Sequence, residues 1–320
     1  MEKNKYNFLP ARTLGTEDFE EAFGEPLSPA LRAEVKKFDF RCAELDQESQ
    51  ARCREEIQEA ISSKDFQRAG AHRIDVWERG WGENFEALKK GNPLDQALLP
   101  RYFGKHSLII WRRRYFQPLV GDFDYHLIDI VRDWLFEKYL RSVPAICEFG
   151  CGTGRHLVAA HAFSPKAEII GADWAEASAK LLQSMNENGV IPGAHGFVFD
   201  FFKPDYKLVL PPGAGVYTIS ALEQTGEKAN LFVDYLLANR PAVVFHVEPI
   251  REMLDPNDEC DKISLAYMEK RGYLKGFLTY LREKARSKEI TILQEKRTFI
   301  GGDPFLEGYM IIAWKPVGDR

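Results

Sequence analysis

From residue 143 onward, short apolar runs alternate with segments of helical periodicity. The runs are 143–148, 168–173, 196–200, 214–220, 242–248, 290–299 and 306–314. Such alternation predicts an α/β fold in which helices cover a mostly parallel sheet. The nearly unbroken apolar run 243–247 is typical of a strand that is buried on both faces. The last two runs lie close together around Gly301-Gly302-Asp303-Pro304, which predicts a C-terminal hairpin and one antiparallel edge strand.

The first 124 residues follow a different pattern, because charged residues and helix formers dominate them. Residues 46–63 predict an exposed helix, and residues 125–140 predict an amphipathic helix that leads into the first strand of the sheet. We therefore divide the chain into a helical N-terminal extension, residues 1–124, and an α/β domain, residues 125–320.

Composition narrows the function classes. The 320 residues are 45% hydrophobic and 28% charged, which is ordinary for a soluble globular protein. The net charge of −5 provides no general attraction to nucleic acid. No apolar run approaches the length of a membrane span, and the N-terminus lacks the apolar region of a secretory signal. Five cysteines without a C-x-x-C pair favour a reducing, cytoplasmic location.

A glycine-rich turn follows the first predicted strand. The strand ends at Glu148, glycines occupy positions 150, 152 and 154, and a helix-compatible segment begins at Arg155. Strand, glycine turn and helix form the layout of a nucleotide-cofactor site, since glycine lets the backbone turn tightly and a ligand approach it. The spacing is G-x-G-x-G, whereas a dinucleotide fingerprint is G-x-G-x-x-G. A carboxylate at Glu148 would oppose a pyrophosphate and suits a cationic ligand without phosphate, such as S-adenosylmethionine.

The sequence E-F-G-C-G-T-G at 148–154 resembles motif I of class I S-adenosylmethionine-dependent methyltransferases. The resemblance covers roughly residues 125–316. It implies a Rossmann-like, seven-stranded, mostly parallel sheet with a C-terminal antiparallel hairpin, an N-terminal extension that acts as a lid, and S-adenosylmethionine as the cofactor. The motif residues expected to bind this cofactor are Glu148, Phe149, Gly150, Gly152 and Gly154.

Two further acids follow predicted strands. Asp173 lies about 20 residues beyond the glycine turn, where a carboxylate can bind both ribose hydroxyls, and its alternative role is a helix N-cap. The resemblance implies that Asp200 accepts a hydrogen bond from the adenine amino group. Phe201 is either a wall for the adenine ring or an ordinary core aromatic. Trp174 and Ser220, beside two of the strand ends, complete the predicted cofactor site.

The acceptor of the methyl group is expected near the ends of the fourth and fifth strands, where strand order reverses. Methylation of oxygen requires a base. Glu248 and His246 are the first candidates, since residues two apart in a strand share a face, and Glu223 is the third. Each has an alternative: a core histidine for His246, a loop carboxylate for Glu248, and a loop-ordering or cofactor contact for Glu223.

Three residues are predicted to bind the acceptor. Trp81 can stack on a flat or sugar-like molecule, Arg113 can hold an acidic group, and Tyr125 begins the helix that leads into the sheet. Core packing is the alternative for Trp81, and a solvent-facing helix is the alternative for Arg113. The acidic loop around residues 255–261 matches no metal site, so no metal is expected.

The sequence therefore predicts a cytoplasmic methyltransferase that acts on a small molecule, at oxygen, with a sugar or secondary metabolite as acceptor. The lid-like extension and the acidic net charge favour a small acceptor over nucleic acid, and no membrane partner is expected. A protein or peptide methyltransferase and a non-catalytic S-adenosylmethionine-binding subunit or sensor are the alternatives. A NAD-binding dehydrogenase is a further alternative, which the glycine spacing disfavours. The sequence does not indicate the oligomeric state.

Overall fold

The computed structural model describes residues 5–63, 66–101 and 104–318. Its strands are β1 (Arg12–Thr13), β2 (Arg41–Glu44), β3 (Ile109–Trp111), β4 (Arg114–Pro118), β5 (Ala145–Phe149), β6 (Glu168–Asp173), β7 (His195–Val198), β8 (Gly215–Ile219), β9 (Val243–Glu248), β10 (Ile290–Arg297), β11 (Ile300–Gly301) and β12 (Met310–Pro316). None of the helices in the described part of the chain combines the length and apolar character that a membrane crossing requires.

The α helices cover both faces of the main sheet and much of the N-terminal extension. They are α1 (Thr16–Phe23), α2 (Pro29–Lys37), α3 (Gln47–Ser63), α4 (Ile74–Lys89), α5 (Leu94–Ala97), α6 (Phe123–Tyr139), α7 (Arg155–Phe163), α8 (Glu176–Glu187), α9 (Ala229–Asn239), α10 (Glu259–Arg271) and α11 (Phe277–Arg286). Short 3-10 helices lie at Ala71–Arg73, Leu222–Thr225 and Arg251–Met253.

The main sheet has seven strands in the order β10-β12-β9-β8-β5-β6-β7, which confirms the predicted fold class. Strands β5 to β9 are parallel to one another, and β12 is antiparallel to both β9 and β10. The sequence predicted that the antiparallel strand lies at the edge of the sheet. In the structure it is second from the edge. Residues 310–314 of β12 are all buried, whereas β10 after Ile290 consists of exposed and partly buried positions, as expected for the edge strand.

Strand order reverses at β5, which lies between β8 and β6. The chain passes from β5 through α7 to β6 on one side, and β8 pairs with the other side. In a doubly wound sheet, such a reversal opens a crevice at the carboxyl ends of the two strands. All five residues of β5 are buried, with Ile146 in one hydrophobic cluster and Cys147 in the other, one for each face of the sheet. A rigid core thus supports the crevice.

The N-terminal extension is not purely helical, which corrects the sequence prediction. A second, antiparallel sheet has the order β1-β2-β4-β3-β11. Strands β3 and β4 consist largely of β-branched and aromatic residues, which favour strands. They are joined by Arg112 and Arg113, whose φ angles of 53° and 63° fit a two-residue hairpin turn. No hairpin was predicted here, because the turn carries arginines and not the glycine or asparagine that is typical of such turns.

The extension shares a sheet and a core with the rest of the chain. Strand β11 comes from the C-terminal part and pairs with β3 of the extension. One hydrophobic cluster also includes Phe19 and Trp111 from the extension and Leu127 and Ile311 from the α/β part. The boundary after residue 124 stays a prediction, and the two parts do not have separate cores.

Candidate functional site

The glycine turn between β5 and α7 requires glycine at each of its three positions. Gly150, Gly152 and Gly154 have φ angles of 73°, 51° and 74°. A Cβ atom at Gly150 would lie 2.3 Å from the Cβ of Ala221, so the loop after β8 approaches the turn closely. A Cβ at Gly154 would contact Met185, which packs against the turn from α8. The turn is therefore fixed by its neighbours on both sides.

Asp173, the last residue of β6, holds the glycine turn through its carboxylate. Oδ2 accepts a hydrogen bond from the Gly152 N–H at 2.9 Å, and Oδ1 accepts one from the Ala175 N–H at 3.0 Å. Asp173 thus also supports the start of α8, whose N-cap residue is Ala175. Burial raises the pKa of Asp173 to about 6.

Glu148 is buried at the end of β5. The Tyr217 hydroxyl donates a hydrogen bond to its Oε2 at 3.3 Å. Burial raises the pKa of Glu148 well above its usual value, although the Tyr217 hydrogen bond and the charges of Arg132 and Arg155 oppose this shift. Glu148 does not line either cavity described below.

A small cavity of about 50 Å³, called here the turn cavity, lies at the glycine turn. It brings together five residues that the sequence placed in the cofactor site: Gly150, Asp173, Trp174, Phe201 and Ser220. The remaining lining residues are Trp77, Trp81, Phe202, Ala221, Gln224 and Thr225. Its walls are thus aromatic, and Asp173 supplies its ionisable group.

Ser220 and Trp174 directly follow β8 and β6, the two strands on either side of β5. Ser220 follows β8 with a φ of 50°, which is uncommon for a residue with a side chain and is often found at functional sites. The Trp174 ring stacks on Phe202 with ring centres 6.0 Å apart. Aromatic planes and polar groups therefore lie on both sides of the turn cavity.

The other predicted cofactor residues do not line the turn cavity. The Phe149 ring lies in the core, 4.8 Å from Phe199. Asp200 Oδ1 accepts a hydrogen bond from the Phe202 N–H at 2.8 Å. Gly152 lies under Trp81, whose Cζ2 would be 3.0 Å from a Cβ at this glycine. Their role in cofactor binding stays a prediction.

A larger cavity of about 460 Å³, called here the acceptor cleft, adjoins the turn cavity. Both cavities are lined by Trp77 and Trp81 of α4 and by Ser220 and Gln224 after β8. The volume lies in the range of roughly 300–1,000 Å³ that is typical of small-molecule sites. The two cavities thus share one wall at the carboxyl ends of the strands.

Glu223 is the predicted base that the structure places in the acceptor cleft. Its side chain is 8% exposed, and Oε1 accepts a hydrogen bond from the Gln224 amide at 3.1 Å. Oε2 is buried and has no hydrogen-bond partner among the described residues. The Glu223 carboxyl group also lies beside that of Glu248, whose pKa it raises.

Glu248 lies at the end of β9 and outside the cleft, which disagrees with its predicted contact with the acceptor. Its two carboxylate oxygens accept hydrogen bonds from the N–H groups of Ala221, Leu222 and Glu223 at 3.1–3.3 Å. Burial and the neighbouring Glu223 carboxylate raise its pKa well above the usual value. Glu248 therefore organises the loop that presents Glu223.

His246 is a core histidine, which corrects its assignment as a base. The Trp314 indole N–H donates to Nε2 at 3.1 Å, and Nδ1 lies 2.9 Å from the Thr218 hydroxyl. The side chain is fully buried, and burial lowers its pKa to about 3. Both ring nitrogens are occupied away from the cleft, so His246 has no access to an acceptor.

Of the three predicted acceptor residues, only Trp81 lines the cleft. Arg113 lies in the turn of the β3–β4 hairpin, where its guanidinium pairs with Asp258 at 3.3 Å. The Tyr125 ring lies 3.6 Å from the Arg155 guanidinium and also lines neither cavity. Both assignments are corrected, because an ion pair and a cation–π contact hold these side chains elsewhere.

Several residues that line the cleft were not predicted from the sequence, among them Arg73, Gln224, Arg271 and Tyr273. Arg73 and Arg271 are far apart in the chain and form no motif, so no local signal marks them. Among the described residues, no cluster of His, Cys, Asp and Glu is arranged to bind a metal ion.

No protein-family model matches the chain, and no curated protein matches it. Among solved structures, it is similar to magnesium protoporphyrin IX methyltransferase from Synechocystis PCC 6803 with bound SAH. That alignment has 16% identity and a TM-score of 0.42, and covers 61% of this chain and 86% of that one. It is also similar to the [4+2]-cyclase SpnF, at 14% identity and a TM-score of 0.49, over 80% and 100% of the two chains.

A third similar structure is the O-methyltransferase NcsB1 from neocarzinostatin biosynthesis, in complex with S-adenosylmethionine and 2-hydroxy-5-methyl naphthoic acid. The identity is 14% and the TM-score 0.40, over 76% of this chain and 70% of that one. Likenesses this distant carry no functional argument. The strand order defines the fold, and any inference about function rests on the geometry of the two cavities.

Proposed function

We propose that this protein transfers a methyl group from S-adenosylmethionine to a hydroxyl group of a small molecule. The observation that carries the proposal is the pair of adjoining cavities at the strand ends. The turn cavity has Asp173 beside the glycine turn, and the acceptor cleft has the unpartnered carboxylate oxygen of Glu223. A donor and an acceptor can thus meet between them.

The turn cavity fits the charge of this cofactor. Its lining contains the acid Asp173 and no Lys, Arg or His. A pyrophosphate would need positive charge or free backbone N–H groups, and one N–H of the turn, that of Gly152, is already bonded to Asp173. A ligand with an ammonium or sulfonium group suits this environment, and the rings of Trp174, Phe201 and Phe202 offer apolar surface to adenine.

Binding requires movement of the tryptophans on α4. The turn cavity has a volume of about 50 Å³, well below the roughly 300 Å³ at which ligand sites begin. Trp77 and Trp81 stack on each other, with ring centres 5.4 Å apart, and cover the turn. Outward displacement of these two side chains would merge the turn cavity with the acceptor cleft.

Bound S-adenosylmethionine would supply an electrophilic methyl group. The protein's task is to align the acceptor and to receive its proton. We assign proton removal to Glu223, because its side chain lines the cleft and its Oε2 has no hydrogen-bond partner among the described residues. Glu248 positions it by holding the backbone of residues 221–223.

Two neighbours of Glu223 favour their protonated forms. Burial and the neighbouring Glu223 carboxyl group raise the pKa of Glu248 well above its usual value. Burial and Glu223 also raise the pKa of Tyr273 to about 12.

The test is an acceptor screen with isotopically labelled S-adenosylmethionine, covering hydroxylated small molecules, peptides and RNA. We expect label on a small hydroxylated molecule. For that acceptor, Glu223→Gln should lower turnover by about 10²–10⁴-fold, the usual contribution of a general base, without changing the affinity for S-adenosylhomocysteine. The matched control is Glu227→Gln at an exposed neighbouring position, which should keep full turnover.

Two results would contradict the proposal. Tight cofactor binding without label transfer to any acceptor would favour a non-catalytic binding protein. Label found only on a peptide or on RNA would replace the small acceptor with a macromolecule.

A further inference from the structure

Three arginines line the acceptor cleft, and one of them, Arg101, is paired with Glu83 at 2.6 Å. The other two, Arg73 and Arg271, are far from each other in the chain. Arg73 ends the 3-10 helix before α4, and Arg271 is the last residue of α10. Within the described ranges, neither guanidinium forms an ion pair with a carboxylate, whereas Arg297 is paired with both Asp261 and Glu307. The positive charge of the cleft pair is therefore left without a direct counter-ion.

Both side chains also have donor atoms to spare. The Nε atoms of Arg73 and Arg271 are buried and have no hydrogen-bond partner in the described part of the chain. The indole Nε1 of Trp77, another cleft residue, shares this property. Buried donors normally have partners, so these three N–H groups indicate that the cleft accepts a ligand rich in acceptor atoms.

Neutral groups hold the two guanidinium planes in place. Arg73 donates from Nη1 to the Gln224 side-chain oxygen at 3.3 Å, and its guanidinium lies 5.3 Å from the Trp77 ring centre. The Arg271 guanidinium lies 5.0 Å from the Tyr273 ring centre. These contacts orient the planes without neutralising their charge.

The two arginines are close enough to repel each other. Burial lowers the pKa of Arg73, and the charge of Arg271 lowers it further. The nearest acids, Glu223 and Asp303, attract the pair without forming an ion pair. Asp303 Oδ1 accepts hydrogen bonds from the N–H groups of Phe305 and Leu306 at 2.7 and 3.1 Å. An anion between the arginines would relieve the repulsion.

We propose that Arg73 and Arg271 form a subsite for an anionic group of the acceptor, either a carboxylate or a phosphate. The guanidinium fork matches both oxyanions in geometry and binds them through charge-assisted hydrogen bonds. The inference rests on the proposed function for its view of the cleft as the acceptor site. The acceptor is thus a hydroxylated acid or a phosphorylated hydroxy compound, with its anionic group at the arginines and its hydroxyl at Glu223.

The first experiment measures binding by calorimetry at low ionic strength. The probes are inorganic phosphate, 4-hydroxybenzoate and its neutral analogue 4-hydroxybenzamide. We expect phosphate or the benzoate to bind more tightly than the amide, and the tighter of the two anions identifies the acceptor class. Arg73→Gln and Arg271→Gln should each weaken anion binding by about tenfold or more, as expected for loss of a charge-assisted contact.

The control variant is Arg79→Gln, which removes the same charge from an exposed position on α4 outside the cleft. It should keep the anion affinity. Equal weakening by all three substitutions, or equal affinity for the benzoate and the amide, would overturn the subsite. If Arg271→Gln fails to fold, Arg271→Lys keeps the charge and loses the fork, so anion binding should weaken several-fold.

Binding of S-adenosylhomocysteine to the same variants separates this inference from the proposed function. Arg73→Gln and Arg271→Gln should keep that affinity, because neither arginine lines the turn cavity. Arginine-dependent anion binding without any binding of S-adenosylhomocysteine would refute the methyltransferase and leave the anion subsite standing. Cofactor binding with no arginine-dependent anion binding would refute the subsite alone.

Discussion

At the scale of single residues, four buried carboxyl groups at or after strand ends have different partners. Asp173 accepts hydrogen bonds from the N–H groups of Gly152 and of Ala175, the N-cap of α8, and Glu248 accepts them from the loop after β8. Glu148 accepts a hydrogen bond from the Tyr217 hydroxyl at 3.3 Å. Of the four, Glu223 lines the acceptor cleft, and its Oε2 has no hydrogen-bond partner among the described residues. Hydrogen-bond partners, more than position in the sequence, separate structural acids from a reactive one.

Cofactor affinity should depend on pH through Asp173. Burial raises its pKa from 3.8 to about 6, so its ionised fraction falls from about nine-tenths at pH 7 to about one-tenth at pH 5. The ionised form attracts the cationic ligand and accepts from ribose hydroxyls. The dissociation constant for S-adenosylhomocysteine should therefore rise about tenfold between pH 7 and pH 5, as measured by calorimetry.

The control for this pH effect is Asp173→Asn, which cannot ionise. Its affinity should be weak at pH 7 and unchanged at pH 5. Asp205→Asn, at an exposed position, should keep the original pH profile. A flat profile for the unmodified protein would show that Asp173 does not contact the cofactor.

At the scale of secondary-structure elements, α4 covers part of the glycine turn. It packs against α8, and its Trp81 lies where a side chain at Gly152 would stand. The same helix contributes Trp77 to the wall between the two cavities. We infer that this helix, rather than the whole extension, is the lid that the family resemblance implied.

Movement of α4 should be visible in tryptophan fluorescence. Addition of S-adenosylhomocysteine should change the emission, since Trp81 would leave its buried position over Gly152. Trp81→Phe should remove at least half of that change. Trp134→Phe, in α6 away from both cavities, should retain it. An undiminished change in Trp81→Phe would mean that this side chain stays in place when the ligand binds.

The main sheet was predictable because each strand is a local apolar run that ends at a turn signal. The β3–β4 hairpin was not, since its turn carries Arg112 and Arg113 at positive φ instead of glycine or asparagine. The acids predicted for the cofactor site lie at or near strand ends, so the same pattern indicates them, and their contact with the cofactor stays a prediction. Arg73 and Arg271 come together only in the folded chain, so no feature of the sequence pattern indicates that both line the cleft.

Burial also determines which of the predicted bases can contact a bound acceptor. The sequence places His246 and Glu248 on one strand face beside the expected site. In the folded chain, Trp314 and Thr218 form hydrogen bonds with the ring nitrogens of His246. Backbone N–H groups donate hydrogen bonds to the carboxylate of Glu248. The partners of both side chains come from distant strands and loops. Alternation along one strand indicates the face on which a side chain lies, but not which groups contact that side chain.

At the scale of the whole molecule, the extension and the α/β part form the site together. Strand β11 joins the second sheet, and one hydrophobic cluster contains residues of both parts. The acceptor cleft is likewise lined by α4 and Arg73 from the extension and by Glu223 and Arg271 from the α/β part. Neither part alone contains the complete cleft.

The central claim is that the glycine turn binds a cationic nucleoside cofactor and not a pyrophosphate. Calorimetric titration of the full-length protein with S-adenosylmethionine and, separately, with NAD tests it most directly. The charge of the turn cavity predicts saturable one-to-one binding of S-adenosylmethionine and no binding of NAD at the same concentrations. Binding of NAD without binding of S-adenosylmethionine would contradict the account.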